Sequence, residues 1–144
     1  MDFKLTDDQQ AFQQTARDFA KSELPEAAQI CETEASPPTH ELIRKYGEMG
    51  FLGINVPEEY GGLGLGNIDA LIVLEEFAKI SSAIAFPVFE SCVGPVKAIE
   101  HFAEESLKKR VIPEVCSGDM IVAVAMSEPD AGSALTDLKT KGRV

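Results

Sequence analysis

The sequence predicts a mainly α chain: a helical domain over residues 1–118, followed over 119–144 by the first strands of a β-domain that is cut short. Three observations lead there. Apolar residues recur at helical spacing in one segment after another as far as Ser117. From Asp119 the texture changes to "MIVAVAM", a short β-branched and apolar run bounded by "SGD" and "SEPDAG", which reads as a buried strand. The closing "LKTKGRV" alternates and reads as a second strand, and two strands alone do not make a stable sheet.

The elements follow in order. Thr6 and Gln9 have capping-box spacing, Asp7 and Asp8 suit the positive end of a helix dipole, and Phe12, Ala16, Phe19 and Ala20 share a helical face. Pro25 is expected to end or kink that helix. After Pro37 and Pro38, Thr39 is placed to cap a short helix with Leu42, Ile43 and Tyr46 inward, ended by Gly47 and Gly50. Pro57–Gly66 holds four glycines and reads as a loop, because it lacks the full spacing and the strand-to-helix setting of a nucleotide fingerprint. Asn67 then caps a helix whose predicted inner stripe is Leu71, Leu74, Phe77 and Ala78. "AIAFPVFESCVGPVKAIEHFA" is apolar on most sides, which predicts a buried helix bent or interrupted near Pro87 and Pro95. "EESLKKRVIPEVCSGD" predicts a shorter amphipathic helix with Leu107 and Val111 inward and Lys108-Lys109-Arg110 on a solvated face.

Composition narrows the function. With 144 residues, the chain is long enough for one domain, or one domain and part of another. Apolar residues at 44% allow a real core, which argues against disorder. The net charge of -11 disfavours nucleic acid as a partner, although backbone N–H groups can still hold a phosphorylated small molecule. Cys31, Cys92 and Cys116 are far apart and form no CxxC, so neither a zinc site nor a disulfide framework is expected. Three reduced thiols, a start without a signal or transit pattern and no apolar run of spanning length lead us to expect a soluble, cytoplasmic chain.

The chemistry concentrates in "VAVAMSEPDAGSALTD", Val122 to Asp137. Small residues let a flat or charged ligand approach the backbone, and Ser127 and Ser133 add hydroxyls. A plain turn ending a strand would look much the same. "AMSEPDAGSALTD" closely resembles the signature of the acyl-CoA dehydrogenase family. "MDFKLTDDQQAF", "PEEYGGLGL" and "EESLKKRVIPEVCSGD" resemble further segments of that family in the same order, so the resemblance covers the whole chain.

That resemblance implies a flavoenzyme that uses FAD to oxidise an acyl-CoA thioester to the 2-enoyl-CoA. A carboxylate takes the α-proton and the β-hydrogen leaves as hydride. It places Val124, Met126 and Ser127 along the flavin ring, Gly132 and Ser133 at the pyrophosphate and thioester, and Ser133 as a substrate contact. Phe86, Phe89 and Glu90 fall near the acyl tail, and Glu128 and Pro129 shape the loop. Electron transfer flavoprotein is the implied electron acceptor, and a dimer or tetramer the implied assembly. The chain departs from the pattern at Ala134, where the family has Asp, and Asp137 is a possible substitute. The family's catalytic Glu lies in a C-terminal helical domain, so no catalytic base is expected within these 144 residues, which alone would be inactive. An acyl-CoA oxidase-like relative and a non-catalytic helical binding module are the alternatives.

Overall fold

The computed structural model describes residues 4–142. The start of the opening segment, 1–3, and the last two residues of the predicted second strand, 143–144, lie outside them. Among the described residues six α-helices follow one another: α1 Asp7–Glu34, α2 His40–Glu48, α3 Asn67–Ala78, α4 Ser82–Cys92, α5 Pro95–Phe102 and α6 Glu105–Ser117. Among the described residues there is no strand ladder.

The first helix starts where expected. Gln9 N–H donates to Thr6 Oγ1 and Thr6 N–H to Gln9 Oε1, each at 3.2 Å, completing the reciprocal cap. Pro25 neither ends nor replaces it: α1 runs on through Pro25 to Glu34. Its buried stripe of Ala16, Ala20, Leu24, Ala28 and Cys31 continues past the proline, and that packing offsets the missing hydrogen bond. Thr39 caps α2 by accepting from Leu42 N–H at 3.3 Å. The cap of α3 is Gly66 rather than Asn67, with Asp69 Oδ2 accepting from the Gly66 N–H at 2.8 Å.

Two apolar cores hold the bundle. The larger joins α1, α2, α3 and α4 around Phe19, Tyr46, Phe51 and Phe77, whose rings meet at centroid distances of 5.1–5.8 Å. Tyr46 sends its hydroxyl to the Ile84 carbonyl at 3.2 Å, and burial pushes its pKa up. The smaller core gathers Val56, Tyr60, Val96, Val111, Ile112, Val115 and Cys116. All three cysteines are free and buried, and burial raises the Cys116 thiol to about 11.

The inner stripe of α3 is turned relative to the prediction. Phe77 is buried, Leu74 packs at the edge, and Leu71 and Ala78 face outward, while Ala70, Ile72, Val73 and Glu76 go inside. The central run Ala70–Leu74 is apolar on every side, so only its neighbours decide its phase. Buried Glu76 is held by Arg17 at 3.0 and 3.1 Å and by Lys79 at 2.8 Å, and the Arg17 hydrogen bond leads in keeping its carboxyl below the usual range.

The apolar stretch after α3 breaks at Val93 and Gly94, and Pro95 opens α5 at its first position. It is not buried all round, since Phe86, Phe89 and Val93 are exposed on one side. Ser82–Phe102 is nevertheless long and apolar enough to cross a membrane by length and composition, contrary to the expectation that no run reaches that length. Its buried Ile84, Ala85, Val88, Cys92 and Val96 supply both cores, which accounts for its composition.

Gly47 sits inside α2 for a packing reason. A Cβ there would lie 2.2 Å from the Ser117 carbonyl oxygen, so α2 and α6 cross with backbone almost in contact. That crossing fixes the end of α6, and with it the point where the signature segment leaves the bundle.

Candidate functional site

The segment from Asp119 onward is launched from the α6 C-terminus. Gly118 takes a left-handed conformation (φ +83°), and the N–H groups of Asp119 and Met120 both donate to the Glu114 carbonyl at 2.9 and 3.0 Å. Asp119 accepts from Ser117 Oγ at 2.9 Å and pairs with Arg44 at 2.7 Å. Those two partners, Ser117 first, hold its carboxyl below the usual range.

The predicted strand "MIVAVAM" is not one here. Residues 121–127 make no backbone hydrogen bond among the described residues, and Ile121, Val124 and Met126 are exposed. A strand exists only through a partner's N–H and C=O groups, and no second strand of this chain comes alongside. The same holds for the described part of "LKTKGRV", residues 138–142, which is irregular.

Beyond it the chain makes a tight hairpin turn. Glu128 N–H donates to the Ala131 carbonyl at 2.9 Å and Ala131 N–H to the Glu128 carbonyl at 3.1 Å, with Pro129 and Asp130 at the tip. The Glu128 carboxylate then reaches across the loop. It accepts from Lys139 N–H at 2.8 Å, from Thr140 N–H at 2.9 Å and from the Thr140 hydroxyl. The Lys139 N–H leads in lowering its pKa. Asp130 pairs with Lys139 Nζ at 2.7 Å. Both acids therefore brace the loop, and neither is a base waiting for a substrate. Asp137 lies in the short 3-10 turn Leu135–Asp137, with its carboxylate 3.5 Å from the Thr136 hydroxyl. It spans no part of the loop, so in this structure the bracing falls to Glu128.

The five residues read from the sequence as cofactor contacts fall into two groups. Ser127 and Gly132 flank the Glu128–Ala131 bridge and Ser133 follows, so the turn gathers all three, exposed, at its open end. Val124 and Met126, 45% and 55% exposed, lie on the unpaired stretch leading to it. The chemistry on offer is a run of free backbone N–H and C=O groups, two hydroxyls and a glycine at which an added Cβ would meet nothing within 4 Å. Those are donors and open space suited to a flat ring with an anionic tail, so the residues present fit a flavin nucleotide. The anchors Lys139 and Thr140 escaped sequence reading because they act 11 and 12 residues away from Glu128 with no motif to mark them.

Beside this segment runs an apolar cleft of about 280 Å³, bounded by Pro37 and Pro38, by Phe86, Pro87 and Glu90 of α4, and by Met120, Ile121 and Val122. Ser91 also borders it, but its hydroxyl donates to the Val88 carbonyl at 3.2 Å. Glu90 Oε2 is shielded from solvent and has no hydrogen-bond partner.

Comparison with known proteins accounts for the arrangement. The family described as "Acyl-CoA dehydrogenase, N-terminal domain" matches residues 6–119. A glutaryl-CoA dehydrogenase of Desulfococcus multivorans is 36% identical over 135 residues, 92% of this chain and 35% of that protein. The glutaryl-CoA complex of a glutaryl-CoA dehydrogenase superposes with a TM-score of 0.89 at 35% identity, covering 96% of this chain and 35% of that one. An acyl-CoA dehydrogenase from Bacillus anthracis complexed with FAD superposes with a TM-score of 0.80 at 29% identity, over 94% of this chain and 23% of that one. The chain thus spans about a third of the length of the curated relatives it matches. Its sequence and its helical bundle together place it in the acyl-CoA dehydrogenase family, with that family's N-terminal domain over residues 6–119.

Proposed function

We propose that the chain is the N-terminal part of an FAD-dependent dehydrogenase that converts an acyl-CoA thioester to the 2-enoyl-CoA. The observation that carries this reading is the signature loop, held open by Glu128 with Ser127, Gly132 and Ser133 at its mouth. The family's fold and the FAD and acyl-CoA complexes of similar chains support it.

The geometry supports a division of labour. Residues 121–127 offer N–H groups to the edge of the flavin ring, and Ser127 adds a hydroxyl. Gly132 and Ser133 take the pyrophosphate and thioester end, where small side chains permit close approach. The acyl tail lies along the apolar cleft beside Phe86, Pro87 and Glu90, whose walls suit a hydrocarbon chain. The chemistry that FAD supplies when bound is acceptance of the hydride leaving the β-carbon. Abstraction of the α-proton requires a carboxylate free to accept it. Glu128 and Asp130 are already engaged, and the family resemblance assigns the base to a C-terminal helical domain. Electron transfer flavoprotein as acceptor and a homo-oligomeric assembly belong to the same reading.

The test is made in the flavin-loaded enzyme containing this chain. Ser127→Ala and Ser133→Ala should each shift the flavin absorption bands or weaken FAD retention by roughly tenfold, about one hydrogen bond to a charged or polarised group. Unchanged spectra and FAD affinity in both variants would refute these contacts.

A further inference from the structure

We infer that the acyl group this enzyme prefers ends in a flat aromatic ring, received against Phe86 of α4. The inference rests on the proposed reading of the cleft as the acyl site and names the substrate class. Much of the cleft is bordered by rings: Pro37 and Pro38 between α1 and α2, and Phe86 and Pro87 in α4. Phe86 is 55% exposed, and Phe89 packs against it at a centroid distance of 5.5 Å. Aromatic rings prefer offset or edge-on neighbours, and a ligand ring that joins such a pair gains more than its buried area alone provides.

The cleft is also built to keep its shape. Proline side chains have no rotamers to lose. Ile43, Leu52 and Val115, which line it too, are buried in the two cores. A preformed apolar cleft favours a rigid ligand, because a phenyl ring brings apolar area with few torsions to freeze, whereas an alkyl chain of equal reach freezes one at nearly every carbon. An apolar cavity of about 150 Å³ takes up benzene. The cleft here, about 280 Å³, has room for a ring and the methylenes leading to it. Charge narrows the class further. Among the described residues no Lys, Arg or His lines the cleft, its one ionisable residue is the acid Glu90, and the Ser91 hydroxyl donates to Val88. A carboxylate at the end of the acyl group would be desolvated there without a donor.

The experiment compares 4-phenylbutanoyl-CoA, 4-cyclohexylbutanoyl-CoA and octanoyl-CoA in the flavin-loaded enzyme containing this chain, with adipoyl-CoA as the charged member. In each, the distal group lies beyond the two carbons that react, so intrinsic reactivity is nearly equal. KM and single-turnover flavin bleaching are read, together with the flavin spectral shift on binding. The phenyl thioester should be favoured over the cyclohexyl and alkyl ones by about three- to tenfold in kcat/KM, mostly through KM, and adipoyl-CoA should be the poorest. Phe86→Leu keeps an apolar wall and removes the ring, so the ratio of phenyl to cyclohexyl should fall to about one. An equal or lower kcat/KM for the phenyl thioester in the unaltered enzyme, an undiminished phenyl preference in Phe86→Leu, or adipoyl-CoA as the best substrate overturns the inference and leaves the dehydrogenase reading standing. If no thioester bleaches the flavin or shifts its spectrum, the dehydrogenase reading fails, and this inference fails with it.

Discussion

The bundle over residues 6–117 and the segment over 120–142 are built from similar apolar residues, yet the first buries most of them while the second leaves Ile121, Val124 and Met126 exposed. In the bundle, each helix brings its own hydrogen-bonded backbone and needs a neighbour only for its side chains. The segment after it has exposed isoleucine, valine and methionine, and over 121–127 a backbone without partners among the described residues. Its order comes from one carboxylate, Glu128, reaching back to two amides and a hydroxyl. A helix is satisfied locally, whereas a strand is satisfied only by a second chain segment or a ligand.

The sharpest way to break this contrast is to truncate matched apolar side chains. Phe77 is fully buried among Phe19, Tyr46 and Phe51, and Phe77→Ala should cost about 3–5 kcal/mol in urea unfolding. Met126→Ala should change stability by less than about 0.5 kcal/mol, since its side chain is mostly in solvent. Comparable losses at the two positions would mean that the segment is packed on the bundle after all.

Glycines sharpen the same comparison at a smaller scale. Gly47→Ala pushes a methyl to within 2.2 Å of the Ser117 carbonyl and must separate α2 from α6, at a cost of about 2–3 kcal/mol in the same unfolding measurement. Gly132→Ala meets nothing within 4 Å and should leave unfolding unchanged. In the flavin-loaded enzyme the order reverses for cofactor retention: Gly132→Ala should weaken it if the loop cradles the pyrophosphate, because the methyl then occupies ligand space.

What the sequence disclosed follows the same division. Thr6 with Gln9, Thr39 and the Phe12–Ala20 stripe were legible because a helix cap and a helix face are written within a few residues. Pro25 misled as a helix end because its effect was judged locally, while the buried stripe on either side of it carries the helix through. The phase of α3 was illegible because Leu71 and Ile72 are equally apolar, and only packing chooses between them. "MIVAVAM" has strand composition, but composition supplies no partner. At the site, Ser127, Gly132 and Ser133 were legible as a motif. The engagement of Glu128 was not, because it depends on groups distant in sequence.

The smallest expected effect is the one most specific to the loop. Glu128→Gln removes the charge that attracts the Lys139 and Thr140 N–H groups while keeping the side chain's length. Global stability should barely move, because the groups involved are exposed and the bundle does not depend on them. The loop itself should loosen, read as faster hydrogen exchange at the Lys139 and Thr140 amides with no change at the buried amides of α3. The pH dependence has a definite sign. The folded carboxylate titrates below its ordinary value of 4.5, so the staple is fully present at neutral pH and is lost as pH falls through that lowered pKa. Protection of those two amides, corrected for intrinsic exchange, should therefore collapse on acidification in the unaltered chain and be low and nearly pH-independent in Glu128→Gln. Amides equally protected in both proteins at neutral pH would show that the turn holds its shape without Glu128, and the open mouth presenting Ser127 and Ser133 would need another cause.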